Sequence, residues 1–139
     1  LKINTKTKNM KVVRTKDLIG TKREVKGKGF TSVRILLESD NMGFSLHKTI
    51  IPKGDEEHWH YKNHLESCYC ISGRGVIKNL ETNESFDITP DITYVLDNHD
   101  NHTFQALEDT VLMSVFNPPV VGDEIHLEDG SYACPSTKQ

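Results

Sequence analysis

The chain has 139 residues, 35% hydrophobic and 27% charged, with a formal net charge of −3. That length allows one domain with a core of useful size, and a pI near 6.2 leaves no basic footprint for nucleic acid. No apolar run approaches the roughly 18 residues of a membrane-spanning helix, and there is no basic-then-apolar leader, so neither nucleic acid nor membrane is an expected partner.

Residues 1–9, LKINTKTKN, have almost nothing to bury and are expected to be a disordered extension, with Met10 as the natural start. MKVVR (10–14) reads as a first short strand. Residues 15–29 are polar and end in KGKG, which reads as a solvated loop. A phosphate-binding loop would need a strand-to-helix context that is absent. From residue 30 the signals are of strands: TSVRILLE (31–38), FSLHKTII (44–51), LESCYCI (65–71), GVIKNL (75–80), FDI before Pro90, ITYVL (92–96), HTFQALE (102–108) and TVLMSVF (110–116). SDNMG, SGRG and ETNES are the turns between them, and NPPVVG is a rigid exit. No long window has helical periodicity. Short strands with turn signals every eight to twelve residues predict an all-β barrel or sandwich. Residues 10–132 are expected to form one domain, with a flexible tail over 133–139.

The cysteines are Cys68, Cys70 and Cys134. An odd count without framework spacing predicts a reducing, cytoplasmic environment. Cys68 and Cys70 as thiolate ligands would depart from the usual C-x2-C spacing; two small apolar side chains on one strand face is the preferred reading.

Strand alternation assigns faces. Glu66 falls with Cys68 and Cys70, so a carboxylate points into the interior, where it needs a cation or hydrogen bonds. Tyr94 falls with Ile92 and Leu96, and His102 with Phe104 and Ala106. Ser114 falls with Leu112 and Phe116, and Ser45, His47 and Thr49 share a face. Several strands each bring a polar group into an apolar interior, the pattern of a small-ligand site. The stretch HWHYKNHLE also concentrates His58, His60, His64 and Glu66, although surface histidines beside a turn are common. His99, in DNHDNH, is expected to be exposed.

Gly54, His60, Lys62, Glu66 and Gly73 reproduce the spacing of the first cupin motif, with Lys62 where a second histidine is usual. MGFSLH (42–47), HYKNHLESCYC (60–70), ITYVLDNHDNH (92–102), VFNPPVVGDEIH (115–126) and EDGSY (128–132) together resemble the ectoine synthase family over nearly all of residues 10–132. The resemblance implies a cupin-type β-barrel that forms a head-to-tail homodimer. It implies a lyase that closes N4-acetyl-L-2,4-diaminobutyrate into the cyclic amidine ectoine with loss of water. It implies metal ligands at Glu66, Tyr94 and His102, a set suited to Fe(II), with Zn or Mn also possible. Substrate-pocket positions fall on Arg34, Thr49, Tyr61, His64, Phe116, Glu124 and His126. Phe30 stands where the family usually has Trp, and Ser114 where it usually has Cys; both are counted with the pocket.

In this scheme Arg34 is the candidate for a bidentate contact with the substrate carboxylate. Glu124 and His126, which share a parity, are the candidate proton-transfer pair, with Tyr61 and His64 beside them. A surface salt bridge is the bland alternative for the pair. Two other readings compete with the whole: another metal-dependent cupin enzyme, a lyase or dioxygenase on a small polar acid, and a non-catalytic cupin that binds a metabolite.

Overall fold

The structure, a computed structural model, describes residues 9–122, 124 and 129–132. The strands are β1 (Glu24–Gly27), β2 (Phe30–Leu36), β3 (Ser45–Ile51), β4 (Glu57–Trp59), β5 (Leu65–Ser72), β6 (Gly75–Asn79), β7 (Ser85–Ile88), β8 (Thr93–Leu96), β9 (His102–Ala106) and β10 (Thr110–Asn117). They form a six-stranded sheet, β1-β2-β3-β10-β5-β8, and a four-stranded sheet, β4-β9-β6-β7. Every pairing is antiparallel. Ile51, Cys68, Cys70, Leu96 and Leu112 from the larger sheet share one buried cluster with Ile77, Ile88, Phe104 and Ala106 from the smaller. Two sheets closed over a common core are the architecture the alternating strands predicted.

The alternation is physical rather than nominal. Along β10, Thr110, Leu112, Ser114 and Phe116 are buried while the residues between them are not. Along β5, Glu66, Cys68 and Cys70 are buried and Leu65, Tyr69 and Ile71 are exposed. At the β5–β6 turn Gly73 has φ +89°, and a Cβ there would run into the Asp109 carbonyl, so glycine is required.

Two expectations for the N-terminal part are corrected. Met10–Arg14 is not a strand: Met10 and Val12 are exposed and no strand pairs with them. β-branched residues favour a sheet only where a neighbour is there to pack against. The stretch 15–29 is not simply a loop. Thr15–Leu18 forms a 3-10 turn, and β1 pairs with β2 from Glu24↔Val33 to Gly27↔Phe30. An edge strand needs little apolar content because one side faces water, which is why its sequence looked like a loop. The N-terminal extension up to residue 8 and the tail 133–139 lie outside the described residues.

Candidate active site

The strands grade from apolar to polar along the barrel. On β10, Leu112 faces Thr49 and Cys70, then Ser114 faces His47 and Cys68, then Phe116 faces Ser45 and Glu66. On β2, Ser32 faces Thr49 and Arg34 faces His47. One end of the interior therefore collects Ser32, Arg34, Ser45, His47, Glu66, Cys68 and Ser114, all buried. Of these, Ser32, His47, Glu66, Cys68 and Ser114 line a small cavity of about 20 Å³, whose walls also include Phe30, Thr49, Trp59, Tyr61, Tyr94, Phe116 and Tyr132. That is room for about one water or one ion.

Glu66 is the charge-bearing group of this wall. Its Oε2 accepts from the Cys68 thiol at 3.1 Å. The Cys68 sulfur is 3.3 Å from Ser114 Oγ, and Ser114 Oγ is 3.0 Å from Thr49 Oγ1. Burial pushes the Glu66 carboxyl up to about 7, opposed by hydrogen bonds from Cys68 and Ser114. No Lys, Arg or His among the described residues forms an ion pair with it. Ser114 thus has a thiol facing it from the neighbouring strand.

Tyr94 faces Cys68 across the β5–β8 pairing. Burial, then the neighbouring Cys68 and Glu66, drive its phenol well above the usual range. Tyr94 also lines a second, open cleft of about 450 Å³ between β7 and β8, together with His102, Asp100, Asn79, Phe86 and Ile88. Glu66 and His102 therefore line different spaces, and Tyr94 is the wall they share. His102 donates from Nδ1 to the Asp100 carbonyl at 2.9 Å. That bond leaves the lone pair on Nε2, which is buried without a hydrogen-bond partner among the described residues. Burial lowers its pKa to about 4, so the ring is neutral at physiological pH. Among the described residues no three His, Cys, Asp or Glu side chains gather around a common point. A set completed by the Tyr94 phenol is of a different kind.

The C-terminal segment crosses this end of the barrel. Arg34, fully buried, donates from its two terminal nitrogens to the carbonyls of Gly122 (2.7 Å) and Glu124 (2.8 Å). Its Nε has no hydrogen-bond partner among the described residues. The Glu124 carboxylate accepts from the backbone N–H groups of Val121 and Gly122 at 2.7 and 2.8 Å and lies 3.8 Å from Arg34. Tyr132 packs on Tyr61, Phe116 and His64, with ring centres 4.9, 5.7 and 5.8 Å apart. His64 is buried with both ring nitrogens unpartnered among the described residues. Phe30 packs edge-on against Trp59 at 5.6 Å. His126 lies outside the described residues. His58 is exposed and bonded to Asn101, while exposed His99 turns its Nδ1 to the Tyr61 and His64 carbonyls at 3.0 and 2.9 Å.

Sequence reasoning missed Trp59, Tyr132 and the polar partnership of Cys68. Trp59 stands beside the flagged histidines in HWHY, so an aromatic among candidate ligands was its available signal. Tyr132 had only its place in EDGSY. Cys68 had none, because its partners lie on two other strands.

The comparisons with known proteins agree with this geometry. The family model described as ectoine synthase matches residues 10–136. The L-ectoine synthase of Alkalilimnicola ehrlichii is 52% identical over 124 residues, covering 88% of this chain and 94% of that protein. That of Halalkalibacterium halodurans is 47% identical over 123 residues, covering 88% and 95%. The crystal structure of ectoine synthase from P. lautus superposes with a TM-score of 0.78 at 41% identity, covering 81% of each chain. The Schizosaccharomyces pombe Cnp3 cupin domain, 13% identical with a TM-score of 0.56 over 68% of this chain and 67% of that one, shares the fold alone. With a cupin barrel, a polar-ended interior and relatives of this similarity over nearly its whole length, the chain belongs to the ectoine synthase family of hydro-lyases.

Proposed function

We propose that this enzyme closes N4-acetyl-L-2,4-diaminobutyrate to ectoine. The α-amine nitrogen bonds to the amide carbonyl carbon, the C–O bond breaks, and the oxygen leaves as water with both amine protons. The observation that carries the reading is Glu66: a buried carboxylate without a basic partner among the described residues, beside the Tyr94 phenol, in a cavity walled by aromatic rings. A buried carboxylate of that kind calls for a cation.

Glu66, Tyr94 and His102 would hold a divalent metal, with Fe(II) our first choice and Zn or Mn the alternatives. The unpartnered Nε2 of His102 and the uncompensated Glu66 support this assignment. When bound, such an ion polarises a carbonyl as a Lewis acid. The chain's own residues supply the rest. Phe30, Trp59, Tyr61, Phe116 and Tyr132 wall a space that, as it stands, admits about one water, so these rings part to take the substrate, then exclude water and fold it so that amine and amide carbon meet; enforced proximity is a large share of any cyclisation. Thr49 and Ser114 offer hydroxyls to the substrate's polar atoms. Arg34 is the candidate for the substrate carboxylate, and its Nε, without a hydrogen-bond partner among the described residues, is the donor we assign to it. Proton transfer falls to Glu124, His126, Tyr61 and His64. His64 combines burial with two unpartnered nitrogens, and burial lowers its pKa, favouring the neutral base.

No helix among the described residues is long and apolar enough to cross a membrane; we place the enzyme in the cytoplasm. We also propose a head-to-tail homodimer, consistent with the exposed Tyr69, Ile71 and Val95 on the outer face of the larger sheet. Sedimentation would detect it. Incubating iron-loaded enzyme anaerobically with N4-acetyl-diaminobutyrate should yield ectoine by NMR. No product with metal confirmed bound would overturn the substrate assignment.

A further inference from the structure

We infer that Cys68 is a positioning residue for Glu66. Its thiol fixes the carboxylate in the cavity and ties it to Ser114. The inference rests on the reading of Glu66 given above and extends it to a residue that strand patterning treats as core filler.

The two buried cysteines of β5 provide an internal control. Cys70 and Cys68 are on the same face, two residues apart, and both are fully buried. Cys70, packed in the core cluster, donates to the Ser72 carbonyl at 3.5 Å and is absent from the cavity wall. It behaves as a small apolar side chain. Cys68 lines the cavity, donates to Glu66 Oε2 at 3.1 Å and lies 3.3 Å from Ser114 Oγ. It is in register with Ser114 on one side and Tyr94 on the other. A thiol has one proton to give and a sulfur that accepts weakly. Here the proton points to the carboxylate, and the sulfur meets the Ser114 hydroxyl from the neighbouring strand.

The consequence is orientation. Glu66 has several rotamers open to it, and among the described residues no ion pair selects one. The Cys68 thiol hydrogen-bonds it, Cys68 lies against the Ser114 hydroxyl, and Ser114 is held in turn by Thr49. The network runs across β3, β10 and β5, so three strands fix the position of one carboxylate. Partners of this kind behind a metal-binding carboxylate commonly change metal affinity about 10–100-fold.

Two substitutions separate positioning from packing because the accounts rank them in opposite order. Cys68→Val keeps volume and apolar character and removes the donor. Cys68→Ser keeps a donor and loses volume. If Cys68 positions Glu66, Cys68→Val weakens cobalt(II) binding about 10–100-fold while its melting temperature stays near that of the parent. Cys68→Ser then keeps affinity within a few-fold despite melting lower, and Cys70→Val leaves cobalt affinity unchanged. Crystal structures of the two metal-free variants give a readout independent of any metal. The Glu66 carboxylate should leave its place in Cys68→Val and keep it in Cys68→Ser. A carboxylate that stays put in both variants overturns the inference, as does cobalt affinity that drops for Ser and not for Val. If the parent protein takes up no cobalt, the metal assignment falls and the crystal comparison alone decides the role of Cys68.

Discussion

The two ends of the barrel are built on the same strands and do different things. At one end Ile51, Cys70, Ile77, Ile88, Phe104, Ala106 and Leu112 fill the space between the sheets with side chains that need no partner. At the other, the same strands present Thr49, His47 and Ser45, Cys68 and Glu66, Ser114, and His102, each of which must be hydrogen-bonded or must meet a ligand. The first end supplies the stability that the second consumes. Burying a carboxylate, a guanidinium and several imidazoles costs free energy, and a closed apolar end with Phe104 fully buried is what offsets it. The contrast predicts that substitutions at the two ends separate activity from stability.

The largest effect is expected at the polar end. Glu66→Ala and His102→Ala should each reduce bound metal and turnover by at least about a hundredfold, with the fold retained by circular dichroism. Metal content is the direct readout, and unchanged content in either variant would break the assignment. At the closed end, Phe104→Ala should cost roughly 3–5 kcal/mol of stability by denaturant unfolding. The Phe104 ring also packs against Trp59 and Tyr94, so activity per folded molecule at low temperature should fall, but far less than in Glu66→Ala. A comparable loss of specific activity would mean the two ends are not separable.

His47 sharpens the comparison through pH. It is buried in the polar end, bonded to Ser32 Oγ at 3.1 Å and Ser45 Oγ at 3.0 Å. Burial, then the nearby Arg34 and His64, push its pKa down to about 3. An unfolded histidine titrates near 6.5. Between those values the unfolded chain binds a proton that the folded chain does not. Stability should therefore fall as pH drops from about 6.5 toward 3, by up to about 1.4 kcal/mol per pH unit from this group, and should not depend on it above that window. His47→Gln should flatten that part of the profile. The smallest effect is expected at His58, exposed beside the site: His58→Ala should change stability by no more than about 0.5 kcal/mol and leave metal content unchanged. A severe loss there would show that the HWHY segment contributes more than Trp59 and Tyr61 to the cavity.

The sequence made most of this contrast legible because a sheet with one buried face enforces a period of two. That period alone places Glu66 with Cys68 and Cys70, Ser45 with His47 and Thr49, and Ser114 with Phe116 on interior faces. What escaped depends on which strands are neighbours. Cys68 looked like core because its partners, Ser114 and Tyr94, come from β10 and β8, and no local pattern encodes that register. Local pattern leaves His64 beside a turn, where surface histidines are common, and only the family resemblance puts it in the pocket; it is buried because Phe116 and Tyr132 pack over it from distant segments. Glu24–Gly27 escaped because an edge strand half in water carries loop-like residues, and Met10–Arg14 misled because two valines have no sheet to join.

The central claim is that Glu66, Tyr94 and His102 meet on one cation, although Glu66 and His102 line different spaces with Tyr94 between them. An anomalous difference map from crystals grown with cobalt(II) tests it most directly. The account predicts one strong peak about 2.0–2.2 Å from a Glu66 oxygen, the Tyr94 hydroxyl and His102 Nε2. A peak that leaves out any of the three, or full cobalt occupancy elsewhere with none at that point, would contradict it.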